Sequence, residues 1–169
     1  MNALVPGSFD PITLGHVNII ERASKMFDKV YVAVMNNDSA KYDPTLSSKV
    51  NTFTDEERLV MVKLSILHIK NAEAVYYSGM LIDACDEYDI NAVIRGVRNS
   101  KDFEYEMIHA SWNRAHNSRA EALFMPADKS FDHISSSYVK TILRDGGDID
   151  QLRGILADNV IDYIKKSKY

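Results

Sequence analysis

The stretch Ala3-Leu4-Val5-Pro6-Gly7-Ser8-Phe9-Asp10-Pro11-Ile12-Thr13-Leu14-Gly15-His16, continued by Val17, Ile20, Ala23 and Phe27 at helical spacing, reads as a short apolar strand, a glycine turn and a helix in direct succession. Further along, short apolar runs keep alternating with longer segments of helical periodicity, the signature of βαβ units and a parallel sheet. Five strands are predicted, at residues 3–5, 30–34, 74–77, 92–94 and 122–125. Most are apolar without interruption, as strands covered on both faces should be. Crossover helices are predicted around Val17 to Phe27, around Leu59, Val62 and Ile66, and through residues 107–114. The tail from Ser137 to Lys168 reads as helical with a break at Gly146-Gly147. Residues 36–54, with Asp43-Pro44, exceed the usual two to six residues of a strand-to-helix loop and read as a lid or an insertion.

The 20 Lys and Arg against 24 Asp and Glu give a formal charge of −4, so bulk charge disfavours nucleic-acid binding and any anion site must be local. A chain of 169 residues buries roughly 70% of its unfolded surface, enough for one core without metal or disulfide staples, and a single domain over 1–169 is expected. No apolar run approaches the ~18–20 residues that span a bilayer, and the first residues lack the basic-then-apolar build of a secretion signal. A cytoplasmic location is expected. Cys85 stands alone, which excludes an internal disulfide and a cysteine-rich metal site.

Ser8, together with Gly15 and His16 at the amino end of the first predicted helix, makes a phosphate pocket: free backbone N–H groups, the positive end of the helix dipole and an imidazole donor. The plainer reading of the same turn is a tight connection capped by Asp10. Arg95 and Arg98 flank Gly96 just past a strand, where guanidinium forks can grip phosphate oxygens and a glycine lets the backbone approach a ligand. Ser135, Ser136 and Ser137 precede a helix; one serine suffices as a cap, and the others offer a second anion site. Glu106, on residue chemistry alone, is a helix-dipole partner able to accept from hydroxyls or to order an arginine. Cys85 reads as core. His109 and His116, seven apart, lack the spacing of a zinc site on one helix. Hydrolase, P-loop and dinucleotide motifs are absent from the sequence.

Four elements occur in order: Gly7-Ser8-Phe9-Asp10-Pro11 with Thr13-Leu14-Gly15-His16, then Ile94-Arg95-Gly96-Val97-Arg98, then Asp102-Phe103-Glu104-Tyr105-Glu106-Met107, and last Ile134-Ser135-Ser136-Ser137. With the helix start Phe53-Thr54-Asp55-Glu56-Glu57-Arg58, they resemble the bacterial phosphopantetheine adenylyltransferases, within the nucleotidyltransferase superfamily, over almost the whole chain. The resemblance implies an α/β fold: a Rossmann-like, doubly wound parallel five-stranded sheet with helices on both faces, plus C-terminal helices. It implies transfer of AMP from ATP to 4′-phosphopantetheine, giving dephospho-coenzyme A and pyrophosphate, with Mg²⁺ accompanying ATP and no resident metal. His16, Ser8, Arg98 and a loop lysine would be catalytic. ATP would meet Ser8, Phe9, His16, Gly96, Val97, Arg98 and Glu106, and the segment of Phe131, Asp132, His133, Ile134, Ser135, Ser136 and Ser137. Phosphopantetheine would meet Ser8, the loop lysine, Leu81 and Arg95. Counting forward from Asn36-Asn37 selects Lys41 as that lysine; counting back from Phe53-Thr54 selects Lys49; Lys41 is preferred because its distance from the strand end is least affected by an insertion. Asp132 and His133 are more polar than the family pattern leads one to expect.

The attacking group in such a reaction is itself a phosphate, largely dianionic at neutral pH with a second pKa near ~6, so no side chain has to remove a proton from it. Two alternatives stand beside this reading: a sister nucleotidyltransferase acting on another phosphorylated acceptor such as nicotinate mononucleotide, and a non-catalytic adenine-nucleotide sensor. The resemblance also implies a homohexamer, with the apolar residues of the tail helices as candidates for contacts between copies.

Overall fold

The computed structural model of the chain describes residues 1–36, 50–116 and 119–168. Among them, five strands form one sheet in the order β3-β2-β1-β4-β5, every pair parallel. They are β1 (Asn2–Gly7), β2 (Lys29–Met35), β3 (Ala72–Tyr77), β4 (Ile90–Val97) and β5 (Glu121–Pro126), each expected strand extended at one or both ends. The unbroken apolar runs have their cause in this arrangement. Ala3, Val5, Val30, Val32 and Val34 enter one buried cluster, while Leu4 and Ala33 enter a second on the opposite face.

The helices divide between those faces. The larger cluster takes residues of α1 (Leu14–Ser24), α2 (Asp55–Ser65), α5 (Ser136–Arg144) and α6 (Asp158–Lys168). The smaller cluster takes Ala84 and Cys85 of α3 (Leu81–Glu87), and α3 touches α4 (Ser100–His116). The sheet is therefore doubly wound. α2 starts where its sequence says it should: the Thr54 hydroxyl accepts from the Glu57 amide at 3.2 Å and the Glu57 carboxylate accepts from the Thr54 amide at 2.7 Å.

The tail departs from expectation in two ways. Its interruption is wider than Gly146-Gly147: α5 ends at Arg144, Gly146 adopts φ 71°, a 3-10 turn spans Ile149–Leu152, and Gly154 adopts φ 80° before α6 begins. Most of its apolar residues are also taken up, because Val139, Leu152, Leu156, Val160, Ile161 and Ile164 all lie in the chain's own core, while Tyr138 stays exposed. Among the described residues, α4 carries five of the exposed large apolar side chains. None of that helix's 17 residues is buried, and Phe103, Tyr105, Met107, Ile108 and Trp112 all remain at least 40% exposed. Among the described residues no helix is long and apolar enough to cross a membrane.

In this strand order the chain leaves β1 toward β2 on one side and returns to β4 on the other, so the crevice between the carboxyl ends of β1 and β4 is the position where such sheets take ligands.

Candidate active site

Gly7 ends β1 and Val97 ends β4, and these neighbouring strands deliver the first two motifs to the same crevice. From β1 the chain passes through Ser8, Phe9 and Asp10 into α1. Thr13 holds the cap position in extended conformation, so Asp10 does not cap this helix. Asp10 is 2% exposed; its carboxylate accepts from the Thr52 and Phe53 amides at 2.9–3.0 Å and lies 3.2 Å from Nζ of Lys140 on α5. The turn is thereby tied to two other elements.

His16 is fixed by the cap residue. The Thr13 amide donates to Nδ1 at 3.0 Å, and the Thr13 hydroxyl lies 3.0 Å from the same nitrogen. An amide can only donate, so Nδ1 is the bare nitrogen and Nε2 carries the hydrogen. Burial, and secondarily the Arg98 guanidinium, lower the imidazole from its ordinary value to about 4. The residue as a whole is half-buried. At neutral pH His16 is thus an uncharged donor through Nε2.

Gly15 sits beside it in the first turn. A Cβ added there would meet Phe131 and Thr13 no closer than 3.6 Å, ordinary contact, so the protein's own packing does not demand a glycine. A glycine in a helix costs about 1 kcal/mol relative to alanine, and space for an outside group is what the missing side chain provides. Gly96 is different. Its Cβ would lie 3.2 Å from Ile19 of α1, so close packing of α1 on β4 accounts for that glycine without any ligand.

Both arginines at the end of β4 have carboxylate partners on α4. Nε of Arg98 bonds Asp102 at 2.8 Å, and Nε of Arg95 lies 3.3 Å from Glu106. Of the roles open to Glu106 from sequence, ordering an arginine is the one seen here. Arg95 and Glu106 also line a cavity of about 200 Å³ between α4 and the β4–β5 pair, together with Val93, Ala110, Asn113 and Phe124. Leu81, at the start of α3, is half-buried and packs against the cluster that contains Val93.

The serine segment reaches the crevice through two contacts. Phe131 lies over Gly15, and the Ser136 hydroxyl donates to the Pro11 carbonyl at 2.8 Å. Ser135 is the cap of α5, accepting from the Tyr138 amide at 3.1 Å. Of the two hydroxyls left over by the cap, Ser136 is taken up by Pro11, and Ser137 is the exposed one. Asp132 and His133 are exposed, whereas the Ile134 side chain is 4% exposed and can meet a ligand only through its backbone. Lys41 and Lys49 lie outside the described residues.

Ser8, Phe9, His16, Gly96, Arg98 and the 131–137 segment are thus brought together around the β1–α1 turn and the end of β4, whereas Arg95, Glu106 and the cavity lie with Leu81 on the face of the sheet that carries Val93. Three contributors escaped the sequence reading: Asp10, Lys140 and the buried Arg58, which donates to the Ser8 carbonyl at 2.5 Å. Arg58 had a usable signal. It falls on the same helical stripe as Met61, Val62 and Ser65, the buried face of α2.

The cytidylyltransferase-like family model matches residues 4–142. Phosphopantetheine adenylyltransferase of Staphylococcus carnosus is 41% identical over 88% of this chain and 87% of its own length, and the enzyme of that name from Prochlorococcus marinus strain MIT 9301 is 38% identical over 90% and 91%. A solved structure of a candidate nicotinate-nucleotide adenylyltransferase from Vibrio parahaemolyticus superposes with a TM-score of 0.67 over 98% of this chain and 91% of that one, at 16% identity, a likeness of fold alone. Identities of about 40% over most of both chains place this chain in the phosphopantetheine adenylyltransferase family of nucleotidyltransferases.

Proposed function

We propose that this chain transfers AMP from ATP to the 4′-phosphate of phosphopantetheine, releasing pyrophosphate and forming dephospho-coenzyme A. Family membership supplies the substrates. The observation that carries the chemistry is His16, held by the Thr13 amide as a neutral Nε2–H donor beside Arg98 at the β1–β4 crevice. A phosphate oxygen of the acceptor attacks the α-phosphorus in line, the bond to the β-phosphate oxygen breaks, and pyrophosphate departs with that electron pair. No covalent enzyme intermediate is needed, because the nucleophile arrives already ionised. His16, the Gly15 amide and Arg98 stabilise the charge building on the α-phosphate, and the first-turn amides of α5 receive the leaving phosphates. Arg95, held by Glu106 at the mouth of the 200 Å³ cavity, takes the acceptor's phosphate while the cavity takes its arm.

Mg²⁺ enters with ATP as part of the substrate; among the described residues no three His, Cys, Asp or Glu cluster to hold an ion themselves, and no step is assigned to it. The active-site lysine is Lys41 or Lys49. We place the protein in the cytoplasm, in keeping with its single buried thiol, and as a homohexamer built on the exposed face of α4. Incubation with ATP and phosphopantetheine, followed by mass spectrometry for dephospho-coenzyme A, tests the reading. Product with nicotinate mononucleotide and none with phosphopantetheine would move the chain to a sister activity, and ATP binding without turnover on either acceptor would make it a sensor.

A further inference from the structure

Arg58 is 0% exposed, the largest of the fully buried side chains. Its neighbours on the stripe, Met61 and Val62, are apolar, and an apolar residue would fill the same space without the desolvation cost of a guanidinium. Its hydrogen bonds indicate why a charge is kept there. Nη1 donates to the Ser8 carbonyl at 2.5 Å, and Nη2 donates to Oδ1 of Asn36 at 2.6 Å and to Oδ1 of Asp55 at 2.5 Å. Nε has no partner among the described residues, so the group is not fully satisfied by the fold that buries it.

The carbonyl it grips opens an unfavourable turn. Phe9 sits at φ 46°, the left-handed region that non-glycine residues avoid, with its ring 3% exposed and edge-on to the His16 imidazole at 5.3 Å between centroids. Such a conformation persists only where the surroundings over-determine it. Here they do so from both sides: Arg58 holds the carbonyl before Phe9, and the amides of Thr52 and Phe53, which lead into α2, hold the Asp10 carboxylate after it.

We propose that Arg58 is a positioning residue for adenylyl transfer: through the Ser8 carbonyl it holds the turn that presents Ser8 and sets Phe9 against His16. It touches neither substrate. It makes α2 the frame on which the phosphate-binding turn is registered, and a misplacement of about 1 Å there is enough to cost orders of magnitude in rate while leaving ground-state binding nearly intact.

This inference rests on the adenylyl-transfer reading, and steady-state kinetics with ATP and phosphopantetheine on the full chain separates the two. Wild-type protein that forms no dephospho-coenzyme A sinks that reading and this one together. With an active wild type, Arg58→Lys keeps the charge but cannot span both Ser8 and Asn36, and should lower kcat at least ~10-fold with both KM values within about threefold. Met61→Ala, on the buried face of the same helix and without a hydrogen bond to the turn, is the control: its melting temperature should fall while kcat at 25 °C stays within about twofold of wild type. A folded Arg58→Lys protein with wild-type kcat, or a kcat loss that Met61→Ala reproduces, overturns the proposal. Should Arg58→Lys fail to fold, Asn36→Ala, which removes an acceptor at a partly exposed position, decides in its place: a lowered kcat at unchanged KM supports the role and an unaltered kcat refutes it.

Discussion

With Nδ1 occupied by the Thr13 amide, His16 has one hydrogen to offer and one direction in which to offer it, and its lowered pKa keeps that arrangement through the physiological range. His16→Ala should therefore lower kcat by at least ~10²-fold while the ATP dissociation constant, by calorimetry, moves less than about threefold, since the lost donor acts on charge that develops in the transition state. The titration itself can be followed by NMR. The His16 imidazole should protonate near pH 4 instead of 6.5, and Arg98→Ala should raise that midpoint without restoring it fully, because burial is the larger cause and Arg98 the smaller. The sign for stability follows: below about pH 6.5 the unfolded chain takes up this proton before the folded chain does, so this group's contribution is whole above that pH and is lost as pH falls toward 4. A midpoint at 6.5 in the folded protein would mean the ring is not held as described. If Arg95 holds the acceptor's phosphate as proposed, Arg95→Ala should weaken phosphopantetheine binding by roughly 10- to 100-fold in line with loss of charge-assisted hydrogen bonds, with unchanged acceptor affinity counting against that assignment.

At the scale of elements, α2 ties stability to the site. Its capping box satisfies the Thr54 and Glu57 amides, and Thr54→Ala should cost about 1 kcal/mol, seen as a fall of ~2–4 °C in melting temperature; no change would show that the reciprocal bonds contribute nothing net. That capping box is readable in the string Thr54-Asp55-Glu56-Glu57, as the five strands are readable in their unbroken apolar runs, because in both cases the physics is local or repeats with a fixed period. What stayed hidden depends on residues far apart in the chain. Asp10 looks like a cap until the amides of Thr52 and Phe53 and the ammonium of Lys140 are seen around it, 42 to 130 positions away. Gly96 looks like ligand clearance until Ile19 is found against it. The serine run offers two hydroxyls beyond the cap until one of them is seen to reach Pro11. The turn could be read in the sequence as a candidate site, but the contacts that hold it in shape could not.

For the whole molecule, the distribution of apolar surface decides how copies would meet. The larger core draws on residues from Ala3 to Ile164 and absorbs most of the apolar faces of α5 and α6, leaving Tyr138 exposed on the tail. α4 is the reverse: 17 residues without one buried, carrying Phe103, Tyr105, Met107, Ile108 and Trp112, with Phe103 edge-on to Phe124 of the outermost strand β5. Apolar side chains exposed along one helix are a feature of interaction surfaces, and their place beside the 200 Å³ cavity and Arg95 would put a copy-to-copy contact on α4 close to that cavity. Sedimentation of the wild type should give six times the 19.1 kDa chain mass. Ile108, at 71% exposure, contributes little to the fold of one copy, so Ile108→Arg should shift the mass to smaller species with the isolated fold intact by circular dichroism. A hexamer that survives Ile108→Arg would place the contacts away from α4, and a wild type that sediments as a monomer would leave this face without a second copy to cover it.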